Sequence, residues 1–544
     1  DYLSPKYHVV IANPPYMGGK GMNGRLGAWL KDNYEDVKSD LFSAFMVRNT
    51  EMTLPKGQLG FMSPFVWMFI SSYEKLRSFL INQKTITSLV QLEYSGFDGA
   101  TVPICTFTVE NAHRPDFKGG YVRLSDFRGS ENQGPRTLEA IKNPDCGWFY
   151  RASAADFSKI PGSPIAYWVS NNLRDAFIKF SSFSEYSDTR IGLITGDNDY
   201  YIRQWQEVSL ESIGFAYSRS EAEHSGKTWF PQSKGGEFRR WYGNHHTLVN
   251  WENDGHELQT RMHDSGARIL AHNFNLDKIF LPGITWTKIS SGTFGARFQP
   301  KGFLFNDASA NAFPRNEEHQ YQLLAFLCSK LPVQFLKAMN PTLNFLPGNV
   351  ASLPVSSSII KDGNLRNKAH ALVRRTKQDW DAYETSWDFT SLPLLNTDYR
   401  QSTLKATYQK LRAHWREMTL EMQRLEQENN RIFIDAYGLQ DELDEEVDLN
   451  EITLTCNPNY RYGNDKSEDE LEALLLADTM RELVSYAVGC MFGRYALDKP
   501  GLILANQGET IEDYLKRVPE PSFPADDDNV IPMLDGDWFT DDIA

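Results

Sequence analysis

Four residues near the start of the sequence, Asn13 to Tyr16, combine groups that could activate an amino group attached to a ring. The exocyclic nitrogen of adenine is a poor nucleophile because its lone pair is delocalised into the ring. The Asn13 side-chain oxygen and the Pro14 carbonyl oxygen could accept hydrogen bonds from both of its hydrogens and localise that lone pair. Two consecutive prolines would hold the acceptors rigid. The chemistry indicated is methyl transfer to nitrogen, which requires no metal and no covalent intermediate.

The aromatic ring of Tyr16 offers a flat face on which a base extruded from a duplex could stack. Stacking of this kind contributes roughly 1 to 3 kcal/mol, which is comparable with the few kcal/mol needed to flip a base. The alternative is a rigid Pro-Pro turn beneath a strand, with no catalytic role. We therefore predict Asn13, Pro14 and Tyr16 as catalytic residues, with Tyr16 also serving as a stacking platform.

The elements around this motif predict a doubly wound α/β sheet. Residues 7–12 form a short apolar, β-branched run, which is typical of a buried strand. The motif then lies at the carboxyl end of that strand, where open α/β sheets bind their ligands. The strands and helices predicted after it alternate: helix 40–52, strand 58–62, helix 73–82, and strands 86–92 and 104–110.

The order of motifs along the first 110 residues resembles that of gamma-class amino methyltransferases. NPPY is followed by DLFSAF at 40–45, GQLGFMSP at 57–64 and VPICTFTV at 102–109. Later segments resemble, more narrowly, the adenine methyltransferase family of BREX phage-defence systems, and this resemblance extends over nearly the whole chain. These segments are GLITGDNDYYIRQWQEV at 192–208, KGGEFRRWYGN at 234–244, ITWTKISSGTFGARFQPKGFLF at 284–305 and NPTLNFLPGNVASLPV at 340–355.

The resemblance implies a site-specific DNA adenine-N6 methyltransferase. Such an enzyme transfers a methyl group from S-adenosylmethionine to a flipped adenine in double-stranded DNA and marks host DNA as self. Asp40, Leu41 and Phe42 would border the methionine end of the cofactor. Phe97 would supply a second stacking ring, although it could equally be a core residue. The implied protein partners are other BREX defence proteins.

The sequence departs from the family pattern at its start. In the gamma-class order, a glycine-rich S-adenosylmethionine loop and an acidic ribose ligand lie upstream of NPPY, but twelve residues precede Asn13. The glycine-rich segment 17–24 follows the motif and is expected to form a mobile loop over the pocket. We therefore expect the C-terminal part of a catalytic domain, with its main cofactor loop upstream of residue 1 and with little affinity for S-adenosylmethionine on its own.

Segments that mix basic, aromatic and glycine residues predict a DNA target-recognition region. The candidate contacts with phosphate or guanine are Lys234, Arg239, Arg240, Lys288 and Arg297. In the alternative interpretation, the segment around Arg239 is a β-hairpin whose Trp229 and Trp241 are simply core residues. The resemblance favours the DNA-binding interpretation.

Four regions are predicted along the chain. They are the partial Rossmann-like methyltransferase sheet (1–112), a connector (113–190), a mixed α/β target-recognition region (191–360) and a helical C-terminal domain with acidic segments (361–544). Long helices are expected at 403–436 and 468–492. The first of these carries an apolar stripe, which could pack in the core or against a partner.

The net charge of −15 argues at first against a nucleic-acid partner. Residues 421–474 contain 16 acidic and 4 basic side chains, and residues 520–544 contain 8 acidic and no basic ones. These two segments carry −20, so the rest of the chain carries +5. A mildly basic body beside acidic segments is compatible with DNA binding, although a solvated acidic surface without a specific role is the alternative.

Composition argues against several other classes of protein. The five cysteines are scattered without a CxxC pair, which indicates neither a disulfide framework nor a zinc site. His245 and His246 lie in no HExxH motif, so we predict no metal. The cysteine pattern favours a reducing cytoplasm, and the longest apolar stretch, 59–70, is too short to cross a bilayer, so we predict no membrane partner.

Two other functions remain open at this level. The chain could be a noncatalytic DNA-recognition or assembly subunit of a defence complex that retains NPPY without transferring methyl groups. It could also methylate another NPPY substrate, such as a glutamine side chain or RNA. The large region between 191 and 360 favours duplex DNA, because an enzyme acting on an isolated side chain would not need it.

Overall fold

A computed structural model describes residues 4–94, 96, 102–289, 293–340 and 344–527. The chain divides into two compact units. Unit 1 comprises Asp1–Ser181, Gln334–Thr342 and Ser352–Pro354, and unit 2 comprises Ser182–Val333, Leu343–Ala351 and Val355–Ala544.

Unit 1 is built on a six-stranded mixed sheet. Its strands are β1 (Tyr7–Ala12), β2 (Thr53–Pro64), β3 (Thr85–Gln91), β4 (Ile104–Glu110), β5 (Gly119–Arg123) and β6 (Phe149–Ala152). Their order across the sheet is β1-β2-β4-β3-β5-β6. β1 and β2 are parallel, as are β3 and β5, and β4 is antiparallel to both of its neighbours. The predicted α/β class with a partial Rossmann-like sheet is confirmed, and β5 and β6 lie in the segment predicted to be a connector.

The helices of unit 1 are α1 (Gly24–Asn33), α2 (Leu41–Glu51), α3 (Glu74–Gln83), α4 (Ser130–Lys142), α5 (Ala154–Ser158) and α6 (Asn171–Lys179). The core lies between this sheet and its helices. At its centre, the ring of Phe107 lies 5.3 Å from that of Phe61 and 4.9 Å from that of Trp67. All three residues are at most 3% exposed.

The first strand differs from its prediction in burial. Residues 7–12 do form a strand, but Val9 is 57% exposed and Ile11 is 80% exposed. Within the described residues β1 pairs with β2 alone, so it lies at an edge of the sheet. A strand is buried only when other elements cover it. The apolar composition of the strand does not show whether such elements are present.

Unit 2 contains two four-stranded sheets. The remaining strands of the chain are β7 (Ser181–Ser182), β8 (Ser187–Ile191), β9 (Ile202–Gln204), β10 (Trp229–Ser233), β11 (Thr247–Asn250), β12 (Gly283–Thr287), β13 (Ala296–Gln299), β14 (Leu304–Phe305), β15 (Ser309–Pro314) and β16 (Pro354–Val355). One sheet has the order β14-β10-β11-β9 and the other β13-β12-β15-β8. Apart from β8, which lies almost entirely in the predicted connector, these strands belong to the region predicted to recognise a DNA target.

Long helices dominate the last third of unit 2. The remaining helices of the chain are α7 (Asn198–Tyr201), α8 (Arg219–His224), α9 (Glu252–Thr260), α10 (Gln320–Leu327), α11 (Lys330–Met339), α12 (Pro347–Ala351), α13 (Ser357–Ile360), α14 (Gly363–Trp380), α15 (Leu404–Tyr437), α16 (Pro458–Tyr462), α17 (Glu468–Met491) and α18 (Ile511–Arg517). The predicted helical C-terminal region is confirmed. In the part of the chain that the structure describes, no helix has the length and apolar character needed to cross a membrane.

Local signals set the ends of the two longest helices. α15 ends at Tyr437 and is capped by Gly438, whose φ of 69° is the left-handed conformation that glycine tolerates. α17 begins with a capping box, in which Ser467 and Glu470 satisfy each other's backbone N–H groups. Tyr408, Leu411, Trp415 and Met422, which belong to the apolar stripe of α15, are all at most 8% exposed. This part of the stripe packs in the core of unit 2.

Candidate active site

The predicted catalytic residues lie together in the loop that follows β1. Pro14 is buried, whereas Asn13 is exposed and Tyr16 is 39% exposed. The hydroxyl of Tyr16 donates a hydrogen bond to Oδ1 of Asn13 at 3.1 Å. The oxygen expected to receive a substrate amino group is therefore already accepting a hydrogen bond from its own loop.

Asp40 fastens this loop to the start of α2. Its Oδ1 accepts hydrogen bonds from the backbone N–H of Met17 at 2.9 Å and from that of Phe42 at 3.3 Å. The N–H of Leu41 in turn donates to the carbonyl of Met17 at 3.0 Å. An aspartate before an apolar helical run is a common N-cap, so the sequence signal for this capping role was present at Asp40.

Phe42 and Tyr73 support the ring of Tyr16 from the core. Phe42 is 1% exposed, and its ring meets that of Tyr16 edge-on, with centroids 6.4 Å apart. Tyr73 lies behind Phe42 at 5.5 Å. Burial, with a smaller effect of the Asp40 charge, raises the pKa of Tyr73 to about 12. Sequence reasoning missed Tyr73, since nothing in its local pattern distinguishes it from other core aromatics.

The hydroxyl of Tyr16 remains a hydrogen-bond donor at neutral pH. Partial burial, with a smaller effect of Cys105, raises the pKa of Tyr16 above its ordinary value of 10.0. A neutral phenol donates its one hydrogen, and here that hydrogen goes to Asn13. The contact thereby orients the Asn13 amide with its oxygen toward Tyr16.

The residues predicted to border a cofactor differ in their burial and in whether they have a free hydrogen-bond acceptor. In the described part of the chain, Asp40 uses Oδ1 for its two backbone contacts, while Oδ2 receives no hydrogen bond. Leu41 is half-buried, whereas Phe42 is committed to the core. A half-buried carboxylate with a free oxygen fits the cationic ammonium group of a methionine moiety. Phe97, the predicted second stacking ring, lies outside the described residues.

Arg240, a predicted DNA contact, is buried in an ion-pair network. Its side chain is 7% exposed, with Nη1 2.9 Å from Glu426 and Nη2 2.6 Å from Glu451. The indole N–H of Trp241 donates to the same Glu426 carboxylate at 3.0 Å. Burial disfavours the charged guanidinium, but the two carboxylates raise the pKa of Arg240 above its ordinary value.

Arg239 is likewise committed within unit 2. Its Nη2 donates to Thr455 Oγ1 at 2.7 Å, and its Nη1 lies 3.8 Å from Asp379. The guanidinium also lies over the ring of Trp380, 4.9 Å from the centroid. The side chain is 6% exposed, which leaves no surface for a phosphate to approach.

Arg297 is the most deeply buried of the predicted DNA contacts. It is 1% exposed and donates from Nη2 to the carbonyl of Gly235 at 3.2 Å. Burial, together with repulsion from Arg239, lowers the pKa of Arg297 to about 10.

The structure therefore holds Arg239, Arg240 and Arg297 inside unit 2, and their contact with DNA stays a prediction that requires these side chains to leave their present partners. A sequence rich in arginine and aromatic residues looks the same whether its cations face solvent or pair with distant carboxylates. Trp241 is 0% exposed, so the alternative interpretation of a core tryptophan is right at that position.

The two predicted lysine contacts stay predictions. Lys234 is half-buried. Lys288 places its Nζ 3.6 Å from an Asp307 carboxylate oxygen, and its side chain is 17% exposed. Metal-binding geometry gives no competing site, since the described residues contain no group of three or more His, Cys, Asp or Glu side chains able to hold an ion.

The segment that contains the loop after β1 matches a known protein family. Residues 2–97, which include both the Asn13 loop and Asp40, match the family model of the Eco57I restriction-modification methylase. The adenine-specific methyltransferase PglX of Lacticaseibacillus casei (strain Zhang) is 34% identical over 548 aligned positions, which cover 99% of this chain and 43% of the relative. The predicted resemblance to an adenine methyltransferase family is confirmed.

A second relative gives the same result. The adenine-specific methyltransferase BrxX of Escherichia coli O9:H4 (strain HS) is 35% identical, and the alignment covers 100% of this chain and 43% of that protein. The chain thus spans less than half the length of the curated relatives it matches. Among solved structures, the Type IIL restriction-modification enzyme MmeI in complex with DNA aligns with a TM-score of 0.43 at 12% identity, covering 87% of this chain and 57% of that chain.

Proposed function

We propose that this protein is a site-specific DNA adenine-N6 methyltransferase that uses S-adenosylmethionine. The observation that carries the proposal is the loop after β1. Within four residues it holds the Asn13 acceptor, the buried Pro14 and the partly exposed ring of Tyr16. Asp40 fastens that loop to α2.

In the proposed reaction, Asn13 and Pro14 hold the amino group of a flipped adenine. The Asn13 Oδ1 and the Pro14 carbonyl oxygen each accept one N6 hydrogen, which draws the lone pair out of the ring. Without a base, the Tyr16 hydroxyl occupies one of the two acceptor positions of Oδ1, so an N6 hydrogen can take the second position or replace the hydroxyl. The ring of Tyr16, braced by Phe42, then supports the base by stacking.

Asp40 is the proposed contact for the cofactor's methionine end. Its Oδ2 would accept from the ammonium group while Oδ1 keeps the loop in place. S-adenosylmethionine, when bound, supplies an electrophilic methyl group on a sulfonium centre. The amino nitrogen would bond to this methyl as the sulfur–methyl bond breaks, S-adenosylhomocysteine would leave and one proton would pass to solvent, so no metal or covalent enzyme intermediate is needed. Leu41 would border the same end of the cofactor through its half-buried side chain.

The substrate and biological role are proposed from the family. PglX and BrxX are named as adenine-specific methyltransferases, which supports adenine in double-stranded DNA as the target. We assign residues 1–112 to catalysis and 191–360 to target recognition, with Lys234 and Lys288 as candidate phosphate contacts. Marking host DNA as self in phage defence, together with other BREX proteins, is the role that fits this assignment. The five cysteines all carry free thiols, which supports a reducing compartment such as the cytoplasm.

Modification-sensitive sequencing of genomic DNA tests the proposal directly. Cells carrying the full reading frame that contains this chain are compared with cells carrying an Asn13→Ala variant. Asn82→Ala is the matched control, because Asn82 is an exposed asparagine of α3 that donates to Ser78. We expect N6-methyladenine at one short sequence motif in the parent and in the control, and its loss in Asn13→Ala.

Two outcomes would contradict the proposal. If the parent genome is unmodified despite soluble expression with its partners, a noncatalytic recognition or assembly role is supported instead. If methylation persists in Asn13→Ala at the level of Asn82→Ala, the base pocket lies elsewhere.

A further inference from the structure

Unit 2 contains a cavity of about 400 Å³ that the proposed methyl transfer does not use. It lies among the segments 215–217 and 298–303, the second half of α14, and Trp387. Its volume falls within the roughly 300 to 1,000 Å³ that is typical of small-molecule sites. The cavity is therefore large enough for a ligand of nucleotide size.

Aromatic rings form the walls and the mouth of this cavity. Phe298 and Tyr321 stack on each other with centroids 5.1 Å apart. Trp387 lies 5.9 Å from Phe303, which is 5% exposed. At the mouth, Tyr217 leaves 69% of its surface open to solvent. Flat apolar walls below an exposed aromatic ring suit the insertion of a planar ring.

The charged side chains of the cavity leave a cation available at its rim. Among the described residues that line it, the only carboxylate is that of Asp388, which already accepts from Lys377 Nζ at 2.7 Å. Arg374 is exposed on α14, and its side chain makes no hydrogen bond or ion pair within the described part of the chain. Lys301 lies 3.6 Å from Glu317, a pair that is more than half exposed on both sides.

Deeper in the cavity, Tyr242 adds a neutral hydroxyl. Tyr242 is 6% exposed, and burial raises its pKa to about 12, so it carries no negative charge at neutral pH. An anionic ligand would therefore meet the cations of the rim without an opposing charge from this phenol. Aromatic walls combined with a free guanidinium are the chemistry that recognises a base and its phosphate.

We propose that this cavity binds a nucleotide, with the base between the aromatic walls and the phosphate on Arg374. The nucleotide could be free in solution or could belong to a DNA strand, since both present the same base and phosphate. The proposal does not depend on the methyl-transfer function, because Asn13 lies in unit 1 and the cavity lies entirely in unit 2.

Calorimetric titration with dAMP tests whether the cavity binds a nucleotide that is free in solution. We expect binding by the parent, and about tenfold weaker binding by Arg374→Gln, because a charge-assisted contact is lost. Adenosine, which lacks the phosphate, should bind both proteins equally. Arg400→Gln is the control, since Arg400 is exposed and does not line the cavity. Tyr217→Ala should also weaken dAMP binding without altering the unfolding midpoint, because its ring is largely exposed.

Fluorescence of 2-aminopurine placed in duplex DNA tests whether the cavity binds a nucleotide of a DNA strand. The measurement is made in an Asn13→Ala, Tyr16→Ala background, which removes both the proposed acceptor and the proposed stacking ring of the unit 1 base pocket. A fluorescence change that Arg374→Gln removes and Arg400→Gln preserves would assign the cavity to a DNA nucleotide. Binding of dAMP with no fluorescence change would assign it to a free nucleotide. If dAMP does not bind and the fluorescence does not change, or if Arg400→Gln acts like Arg374→Gln, the proposal is overturned.

Discussion

Removal of the Glu426 carboxylate should destabilise unit 2 strongly. Glu426 is 2% exposed and accepts from Arg240 Nη1 at 2.9 Å and from Trp241 Nε1 at 3.0 Å. In Glu426→Ala, Arg240 keeps one partner, Glu451, whose side chain is 33% exposed. Removing one partner of a buried ion pair costs about 3 to 5 kcal/mol. The unsatisfied indole N–H of Trp241 places the expected loss toward the upper end of that range.

The double variant Arg240→Met with Glu426→Leu separates charge from packing. Replacing both buried charges by apolar side chains of similar size removes the desolvation penalty together with the attraction. What remains is the unpaired Trp241 donor, for which the cost is about 1 to 3 kcal/mol. We therefore expect the double variant to be more stable than Glu426→Ala.

Denaturant unfolding followed by circular dichroism measures these differences, with Glu421→Ala as the control. Glu421 lies on the same helix and pairs with Arg424 at 2.9 Å, but that pair is solvent-exposed, so no measurable change is expected. A loss below about 1 kcal/mol in Glu426→Ala would refute the reasoning, because it would mean that the network contributes no more than a surface pair.

Salt dependence of DNA binding gives a second test of the same network. If Arg240 contacted a phosphate, Arg240→Ala would flatten the slope of log K against log salt by about 0.9. Because the guanidinium is held by two carboxylates, we expect the slope of the folded variant to be unchanged. A slope reduced by about one would show that the network opens on DNA.

Three further predictions concern the loop after β1 and a buried histidine. Tyr16→Phe removes the hydroxyl that donates to the Asn13 oxygen, so binding of a duplex that carries the target adenine should tighten about two- to fivefold, the lower part of the range for one hydrogen bond; weaker binding would mean that the hydroxyl itself serves the base. Asp40→Ala removes the α2 cap and the tether to Met17 and should cost about 0.5 to 2 kcal/mol in unfolding experiments, whereas Asp40→Ser should recover part of that loss. Burial, with repulsion from Arg297, lowers the pKa of His245 well below its ordinary 6.5. The unfolded chain therefore gains a proton that the folded chain does not, and stability falls as pH falls through 6.5. Between about pH 7.5 and about pH 5.5, this protonation should lower the free energy of unfolding by about 1.4 kcal/mol. His245→Leu should abolish that part of the pH dependence, and an identical pH dependence in the variant would contradict this.

Features with a local physical cause could be predicted from the sequence. The strand at Ile104–Glu110 agrees with its predicted bounds, and α17 begins at the predicted residue, Glu468. In both places, short-range patterns decide the structure: a β-branched apolar run in the strand and a capping box at the helix start. The placement of the Asn13 loop at the end of β1 followed from the same kind of signal.

Features that depend on distant partners could not be predicted. The contact between Arg240 and Glu426 joins residues 186 positions apart in the chain, and no local pattern reports it. The exposure of Val9 and Ile11 depends likewise on which elements cover β1. The sequence thus indicated the chemistry of the proposed site, but it could not separate cations on the surface from cations inside a core.

The hydrogen bond from Tyr16 to Asn13 makes base entry an exchange of donors. A base that brings its own amino hydrogen replaces the hydroxyl it displaces, so the acceptor is satisfied before and after entry. A base that offers no hydrogen to Asn13 leaves its exposed oxygen with the hydroxyl or solvent as donor and gains none of the roughly 0.5 to 1.5 kcal/mol that a hydrogen bond contributes. In the proposed reaction, this loop would therefore favour a base that presents an amino hydrogen to Asn13 before any chemistry begins.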